Sequence, residues 1–453
     1  MPSGDPPVNR INAHQAVWLL LFYLGLKSRF RLFLFKGGLL LGLACVVLAC
    51  LPDRARGAGF ALVQQGTAAM AQGNAFVAEA HDPSAIYYNP AGLNQLTRPE
   101  FYTCTVINYP NREFFGTGDY WSETSPRFYD SGAFYLAVPF NPRVAVGLGF
   151  FAPFGLGSNW PAAWQGRYIT TYSRLKTYNL NPVISVKLLD NLSLAGGVNF
   201  LWSDVRLRKR VPFLPGQDGE SDLVGTGHGL GGNFGLLWEP LTGIKFGLSY
   251  RSQIFVLHRG HLHLNLPVTV PGVPRVTDGT AKLTYPQSLT FGVSVSRLAP
   301  FTFNVDITWT GWSSYDRLAI RLEQPVPVNG VPATQIVTEK NWHDAWAFRF
   351  GVGYQLKENL KLRAGYTLDL TPVPSSTLEP QVPDANRHIL AVGGEMKVWR
   401  LTLGLAYNFI LFEDRKKDNR YAINGVPLPP AFQVNGRYRS HVHSLGLSSS
   451  IRF

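Results

Sequence analysis

The chain reads as an all-β membrane protein, an antiparallel transmembrane β-barrel of about 14 strands preceded by a short helical segment. Three observations carry this reading. Apolar and polar residues alternate with period two, aromatics gather at the ends of the alternating segments, and the chain opens on an export signal and closes on Phe. At the C-terminus Phe453, Ile451, Leu447 and Leu445 share one face, while Arg452, Ser450, Ser448, Gly446 and Ser444 share the other. Leu401, Leu403, Leu405, Tyr407 and Phe409 alternate with Thr402, Gly404, Ala406 and Asn408. Phe301, Phe303, Val305, Ile307 and Trp309 alternate with Thr302, Asn304, Asp306 and Thr308. Successive side chains of a strand point to opposite faces, so each segment has one greasy and one polar side. A soluble sandwich alternates in the same way. Tyr407/Phe409 and Trp309/Trp312 sit at segment ends, where the interfacial girdles of a membrane barrel belong. Phe453, on an apolar-alternating last strand, is the ending expected to engage the barrel-assembly machinery.

Composition agrees. Gly (45 residues), aromatics (13%) and a mean hydropathy near zero suit a wall with one lipid face and one lumen face. No long helical periodicity follows residue 100, which argues against a soluble α/β enzyme. The formal charge is +13, but residues 1–57 hold seven basic and two acidic residues, leaving 35 basic and 27 acidic, net +8, in the remainder. Those basic residues are scattered near strand ends and in loops, as at Arg415, Lys416, Lys417 and Arg420. They suit a rim meeting the phosphates of outer-membrane lipid and lipopolysaccharide. No Lys/Arg stripe interleaved with aromatics is present, so nucleic acid is not an expected partner.

Lys27, Arg29, Arg31 and Lys36 precede an apolar run from Gly37 to Leu51, followed by Ala55-Arg56-Gly57. A basic region, an apolar stretch too short to span comfortably and small residues read as a secretory signal cleaved after Gly57. Residues 1–57 are thus a signal peptide with an atypical N-terminal extension. The alternative is a lipoprotein box, Val47-Leu48-Ala49-Cys50, with Cys50 lipidated. Cys45 and Cys50 lie in this region, leaving Cys104 without an internal disulfide partner.

Short turns fall near Asn141-Pro142, Asp190-Asn191, Glu239-Pro240, Ala299-Pro300, Glu358-Asn359 and Val398-Trp399. Their spacing of ~40–60 residues fits two membrane strands of about 9–11 residues plus one long loop. Six turns join twelve strands; one near Phe101–Ile107 and one at the C-terminus make fourteen. Short turns are expected in the periplasm and long loops outside. The barrel therefore covers 99–453.

Residues 58–98 differ. A small-residue, helix-compatible stretch runs from Gln64 to Ala80, and Asp82-Pro83 and Asn89-Pro90 are helix starts, with an N-cap followed by Pro at the first helical position. The residues alone leave two placements open, a periplasmic tail or a plug in the lumen. Gly59-Phe60-Ala61-Leu62 through Asp82, with Asn89-Pro90-Ala91-Gly92-Leu93, resembles the hatch of the FadL-type long-chain fatty acid transporters. The likeness continues in order through Pro153-Phe154-Gly155-Leu156, Trp164-Gln165-Gly166-Arg167-Tyr168, Asn181-Pro182 and Tyr250-Arg251-Ser252. It ends with Trp309-Thr310-Gly311-Trp312-Ser313 and Pro383-Asp384-Ala385-Asn386-Arg387-His388, where Asn386 departs from the Asp frequent in the family.

The resemblance implies that 58–98 is a hatch plugging the lumen, and that the chain is a transporter of the Gram-negative outer membrane, not an enzyme. Its cargo would be a hydrophobic ligand, a fatty acid or a hydrocarbon, taken into a pocket above the hatch and released sideways into the bilayer. Asn89, Pro90 and Ala91 would anchor the hatch to the inner wall, although Asn89-Pro90 also reads as plain helix capping. Phe60 would contact the pocket. Arg167 and Arg251 are candidate contacts to an anionic head group, against the plainer reading of ion pairs within the wall. Asp306 is expected in the lumen, paired with an inner-wall Arg. No cofactor is expected. His261/His263 and His441/His443 are i,i+2 pairs, but neither has the carboxylate or Cys cluster of a metal site. No G-x-S-x-G, P-loop or H-E-x-x-H motif occurs. A general diffusion porin and an outer-membrane lipid-modifying enzyme are the rival readings.

Overall fold

Asn141 illustrates how neighbouring strands are joined. Its side-chain oxygen accepts hydrogen bonds from the amides of Arg143 (2.8 Å) and Val144 (2.9 Å), closing a tight turn at Pro142. The computed structural model describes residues 59–453 apart from 215 and 329; the expected signal, its cleavage after Gly57, and Cys45 and Cys50 lie outside the described residues. The fourteen strands are β1 (Glu100–Phe115), β2 (Tyr129–Asn141), β3 (Val144–Phe151, continued by Gly155–Asn159), β4 (Tyr172–Leu189), β5 (Leu192–Leu214) and β6 (Gln217–Leu241). Next come β7 (Ile244–Arg251 and Ile254–Asn265), β8 (Val276–Tyr285 and Ser288–Val295), β9 (Phe301–Thr310 and Arg317–Val328) and β10 (Val331–Glu339 and Ala345–Lys357). The last four are β11 (Leu360–Asp369), β12 (Arg387–Val398), β13 (Leu401–Phe412) and β14 (Gly436–Arg452). Each pairs antiparallel with its neighbours, and β1 closes on β14 from Glu100–Arg452 to Phe115–Arg437. Closure pairs the first strand with the last, as a spanning sheet requires.

The six expected turns are present, with one displaced. Strand β6 runs through Glu239-Pro240 to Leu241, and the reversal falls at Gly243, whose φ of +78° suits glycine. The Glu239 carboxylate accepts from the Gly243 amide at 2.7 Å and holds the turn there.

Burial decides between membrane barrel and soluble sandwich. A sandwich would hide the apolar faces. Here Leu405 is 54% exposed and Phe291 46%, whereas Asn408 is 0% and Asp306 1% exposed. Apolar side chains face outward as a lipid belt, and polar ones face inward.

Residues 59–98 lie against the inward polar face and bury much of it. Their helices are short: α1 (Thr67–Ala71), α2 (Ala85–Tyr88) and a 3-10 turn, Pro90–Gln95. The expected helix over Gln64–Ala80 shrinks to α1, because Gly73 (φ +66°) and Asn74 (φ +61°) take left-handed backbone that ends it. The second start lies one residue beyond Asp82-Pro83, at Ser84. The Asp82 oxygen Oδ1 accepts from the Ser84 amide (2.8 Å) and hydroxyl (2.5 Å). Asn89 caps the third segment as expected, accepting from the Ala91 amide at 3.2 Å.

Candidate functional site

The hatch begins by mending a break in the wall. Pro153 has no amide to donate, and β3 interrupts its ladder at residues 152–154. The pairing of β2 with β3 ends at Phe134–Phe150, and the continuation Gly155–Asn159 pairs with β4. Residues Tyr129–Ala133 of β2 pair with β1. At the break the hatch supplies the missing partner: the Leu62 amide donates to the Pro153 carbonyl and the Gly155 amide to the Phe60 carbonyl, each at 2.9 Å. Side chains cross the remaining opening. The Tyr129 ring lies where any side chain at position 157 would have to go, and Arg112 Nη1 donates to the Gly157 carbonyl at 2.7 Å.

A cavity of 360 Å³ lies behind this break. Phe60, Leu62, Phe154 and Leu175 line it from within, and it extends to Phe134 and Phe150, which are 49% and 38% exposed on the outer face. The lining of the chamber thus includes residues of both the lumen side and the outer face. Arg112 lines it too, and among the described residues no carboxylate lies within ion-pair distance of that guanidinium. Arg387, also at this cavity, is paired with Asp384 at 3.0 Å.

Phe60 lies at a cavity wall. Its ring packs edge-on to Trp312 (4.6 Å between centroids) and Tyr315 (5.8 Å), and stands between the 360 Å³ chamber and a smaller apolar one of 90 Å³. A third cavity, of 120 Å³, is mixed: Asn179, Asn199, Arg251 and Arg349 line it beside Val77 and Ile254.

Asn89, Pro90 and Ala91 meet the inner wall. Asn89 Nδ2 donates to the carbonyls of Leu236 (2.9 Å) on β6 and Val77 (2.8 Å) in the hatch. Gly235 lets Asn89 and Pro90 lie directly on the wall, since a Cβ there would overlap both. Ala91 packs with Ala195 and Leu237. Capping and anchoring thus coexist in one side chain.

Of the two candidate head-group arginines, Arg251 lines the 120 Å³ cavity and Arg167 lines none of the three. Arg167 pairs with Asp218 (2.7 Å) and hydrogen-bonds the Tyr168 hydroxyl (2.7 Å), away from the lining of all three cavities. Arg251 spends its donors on the hatch: Nη2 reaches the carbonyls of Ile86 (2.9 Å) and Tyr87 (2.8 Å), and Nη1 the Asn199 amide oxygen (2.9 Å). Those carbonyls end α2, and a cation is favoured at a helix C-terminus. Asp306 faces the lumen as expected, but it too holds the hatch, accepting from the amides of Phe76 (2.7 Å) and Val77 (3.0 Å). Arg349 stands opposite it on β10.

Sequence reasoning missed the strongest tie. Glu79 of the hatch meets Lys361 (2.8 Å) and Arg363 (3.0 Å) of β11 and accepts from Asn304 (2.7 Å) of β9; Arg363 continues to Glu395 (3.0 Å) of β12. Burial raises the Glu79 pKa, but Arg363 and Lys361 outweigh it and hold the carboxyl well below its usual range. Burial pushes His81 down to about 4 and Asp82 up to about 7, the latter aided by Glu395 and Glu100. The available signal was period two on β11, which puts Lys361, Arg363 and Gly365 on the inner face. The histidine pairs stay outside: His261 Nδ1 meets Asp278 at 2.6 Å and His443 meets the Tyr407 hydroxyl at 2.7 Å.

Comparison with known proteins follows this geometry. A putative outer membrane protein of Neisseria meningitidis serogroup B is 24% identical over 441 residues, covering 87% of this chain and 94% of that protein. The long-chain fatty acid transport protein of Salmonella typhi is 22% identical over 386 residues, covering 77% and 86%. In fold, the chain resembles the crystal structure of a Pseudomonas aeruginosa FadL homologue (TM-score 0.76, 20% identity, 87% of this chain and 100% of that one). It also resembles the Ralstonia pickettii toluene transporter TbuX (TM-score 0.65, 17% identity, 86% and 98%). The model of the outer membrane protein transport protein family (OMPP1/FadL/TodX) matches residues 48–453, and the chain belongs to that family.

Proposed function

We propose that this protein takes up hydrophobic small molecules, long-chain fatty acids or hydrocarbons, across the outer membrane and releases them sideways into the bilayer. The observation that carries the reading is the 360 Å³ chamber whose lining includes both Phe60 and the lipid-facing Phe134 and Phe150. An apolar ligand gains about 25 cal/mol per Å² on leaving water, so an apolar path with a lipid-side exit avoids its re-exposure. The similarity to proteins named for fatty acid and toluene transport supports this cargo class. Between the two cargoes, Arg112 favours a carboxylate-ended one, since its guanidinium already lines the chamber without a counter-ion among the described residues. Movement of the hatch would open the way, with Asn89, Pro90 and Ala91 as its seat and Phe60 as the pocket contact.

Gly132 lies at the outer mouth of the break, lines the chamber and has nothing within 4 Å of where its Cβ would be. Gly132→Trp should fold normally yet slow uptake into liposomes by about tenfold, as a barrier raised by about 1.4 kcal/mol would. Arg112→Gln should weaken laurate binding by about tenfold, the loss of one charged hydrogen bond, and leave dodecane binding unchanged. Unaltered transport by a correctly assembled Gly132→Trp barrel would refute the lateral route.

A further inference from the structure

His81 and Asp82 lie on the hatch between α1 and α2, and Glu395 lies on β12 of the wall. One imidazole nitrogen and one oxygen from each carboxylate fall within 4.8 Å of one another. Asp82 is 5% exposed. Its Oδ1 is taken by Ser84, and its Oδ2 has no hydrogen-bond partner. A buried carboxylate oxygen without a partner is costly unless a cation or donor meets it. Glu395 gives Oε2 to Arg363, at 3.0 and 3.2 Å. All three side chains line one cavity of 130 Å³ with Glu100, Lys361 and Arg452, at the end of the barrel where the short turns lie.

Charge permits a further cation. Five carboxyl groups (Glu79, Asp82, Glu100, Glu358 and Glu395) stand against four cations (Lys361, Arg363, Lys397 and Arg452), an excess of one negative charge when Asp82 is ionised, as a bound cation would hold it. Arg363 stands 3.4 Å from His81 Nε2, but its guanidinium is already held by Glu79 and Glu395.

We propose that His81, Asp82 and Glu395 form a site for a divalent transition-metal ion that clamps the hatch to strand β12. One imidazole and two carboxylates suit a borderline ion such as Zn²⁺ better than Mg²⁺, which keeps to oxygen donors and near-octahedral geometry. Water completes the coordination from the cavity side. Binding at this site does not depend on what the barrel transports. Because its ligands come from hatch and wall, the ion would stabilise the plugged state by its binding free energy.

The test uses the full barrel, EDTA-stripped in detergent, with the exposed or half-exposed His228, His261, His263, His343, His388, His441 and His443 all replaced by Ala so that the outer histidines are silent. Calorimetric titration should give one Zn²⁺ per barrel, uncompeted by excess Mg²⁺. Asp82→Asn keeps the oxygen that caps Ser84, and Glu395→Gln keeps the side chain's length; each should weaken binding by at least about tenfold. Heat-modifiable gel mobility reports that each variant is folded. Absence of a saturable Zn²⁺ site in the folded barrel, or wild-type affinity in folded Asp82→Asn, would overturn the proposal.

Discussion

The ammonium of Lys417 lies fully buried in the outer-loop core, 5.7 Å from the Tyr421 ring centroid, and has no hydrogen-bond partner among the described residues. Burial pushes its pKa down to about 8, with Glu379 pulling the other way. An unfolded loop would hold this proton up to about pH 10.4. Between the two values the open loop binds more protons than the closed one, so loop stability rises with pH across that window. Below pH 8 the full cost of the buried charge is present, on the order of 3 kcal/mol. Lys417→Met should therefore protect the segment 415–434 against proteolysis at pH 7, and the gain should fade above about pH 10. Arg112 and Lys417 share a history: each reads as one more loop or strand-end cation in the sequence, because only folding shows which carboxylates come near.

At the scale of elements the hatch is held by many small ties. Asn89→Ala would leave the carbonyls of Val77 and Leu236 without their donor, at roughly 1–3 kcal/mol. The barrel ladders are untouched by this change. Barrel assembly should thus proceed normally, while the hatch becomes more susceptible to protease and uptake falls. Normal growth on hydrophobic substrate by a surface-assembled mutant would count against the hatch role. Asn89-Pro90 was readable because capping is local, a matter of neighbours in the chain. The stretch Gln64–Ala80 misled for the complementary reason. Its composition favours helix, but Gln72 and Gly73 pack against the inner wall at Gly351 and Gly365, and tertiary fit overrides propensity. The Glu79–Arg363 tie joins positions 284 apart, and no local pattern announces such a pair.

For the whole molecule, the question between porin and plugged transporter turns on whether the lumen is filled. Gly365 faces Gln72 and Gly73 so closely that a Cβ would meet hatch backbone rather than a flexible side chain. Gly365→Val should displace the hatch, and a planar bilayer should then pass steady current where the unaltered barrel passes little. Equal conductance in both would mean that the filled lumen is not the barrier to ions. The same inward glycines explain why a 14-stranded barrel, wide enough for water, has a packed interior instead.

The sequence alone settled the wall: strand number, five of six turn positions and the faces of the alternating segments, since period-two alternation and turn chemistry are local. It also supplied the motif series by which the hatch was placed. Trp312, expected at the interfacial girdle, is instead fully buried against Phe60, because the chain leaves the strand after Thr310 and turns its ring inward. Tertiary structure alone decided which inward charges meet, where the wall breaks, and that Arg167 and Arg251 are spent on protein partners. Those outcomes depend on groups far apart in the chain, brought together only when the strands close into a ring and the hatch is seated within it.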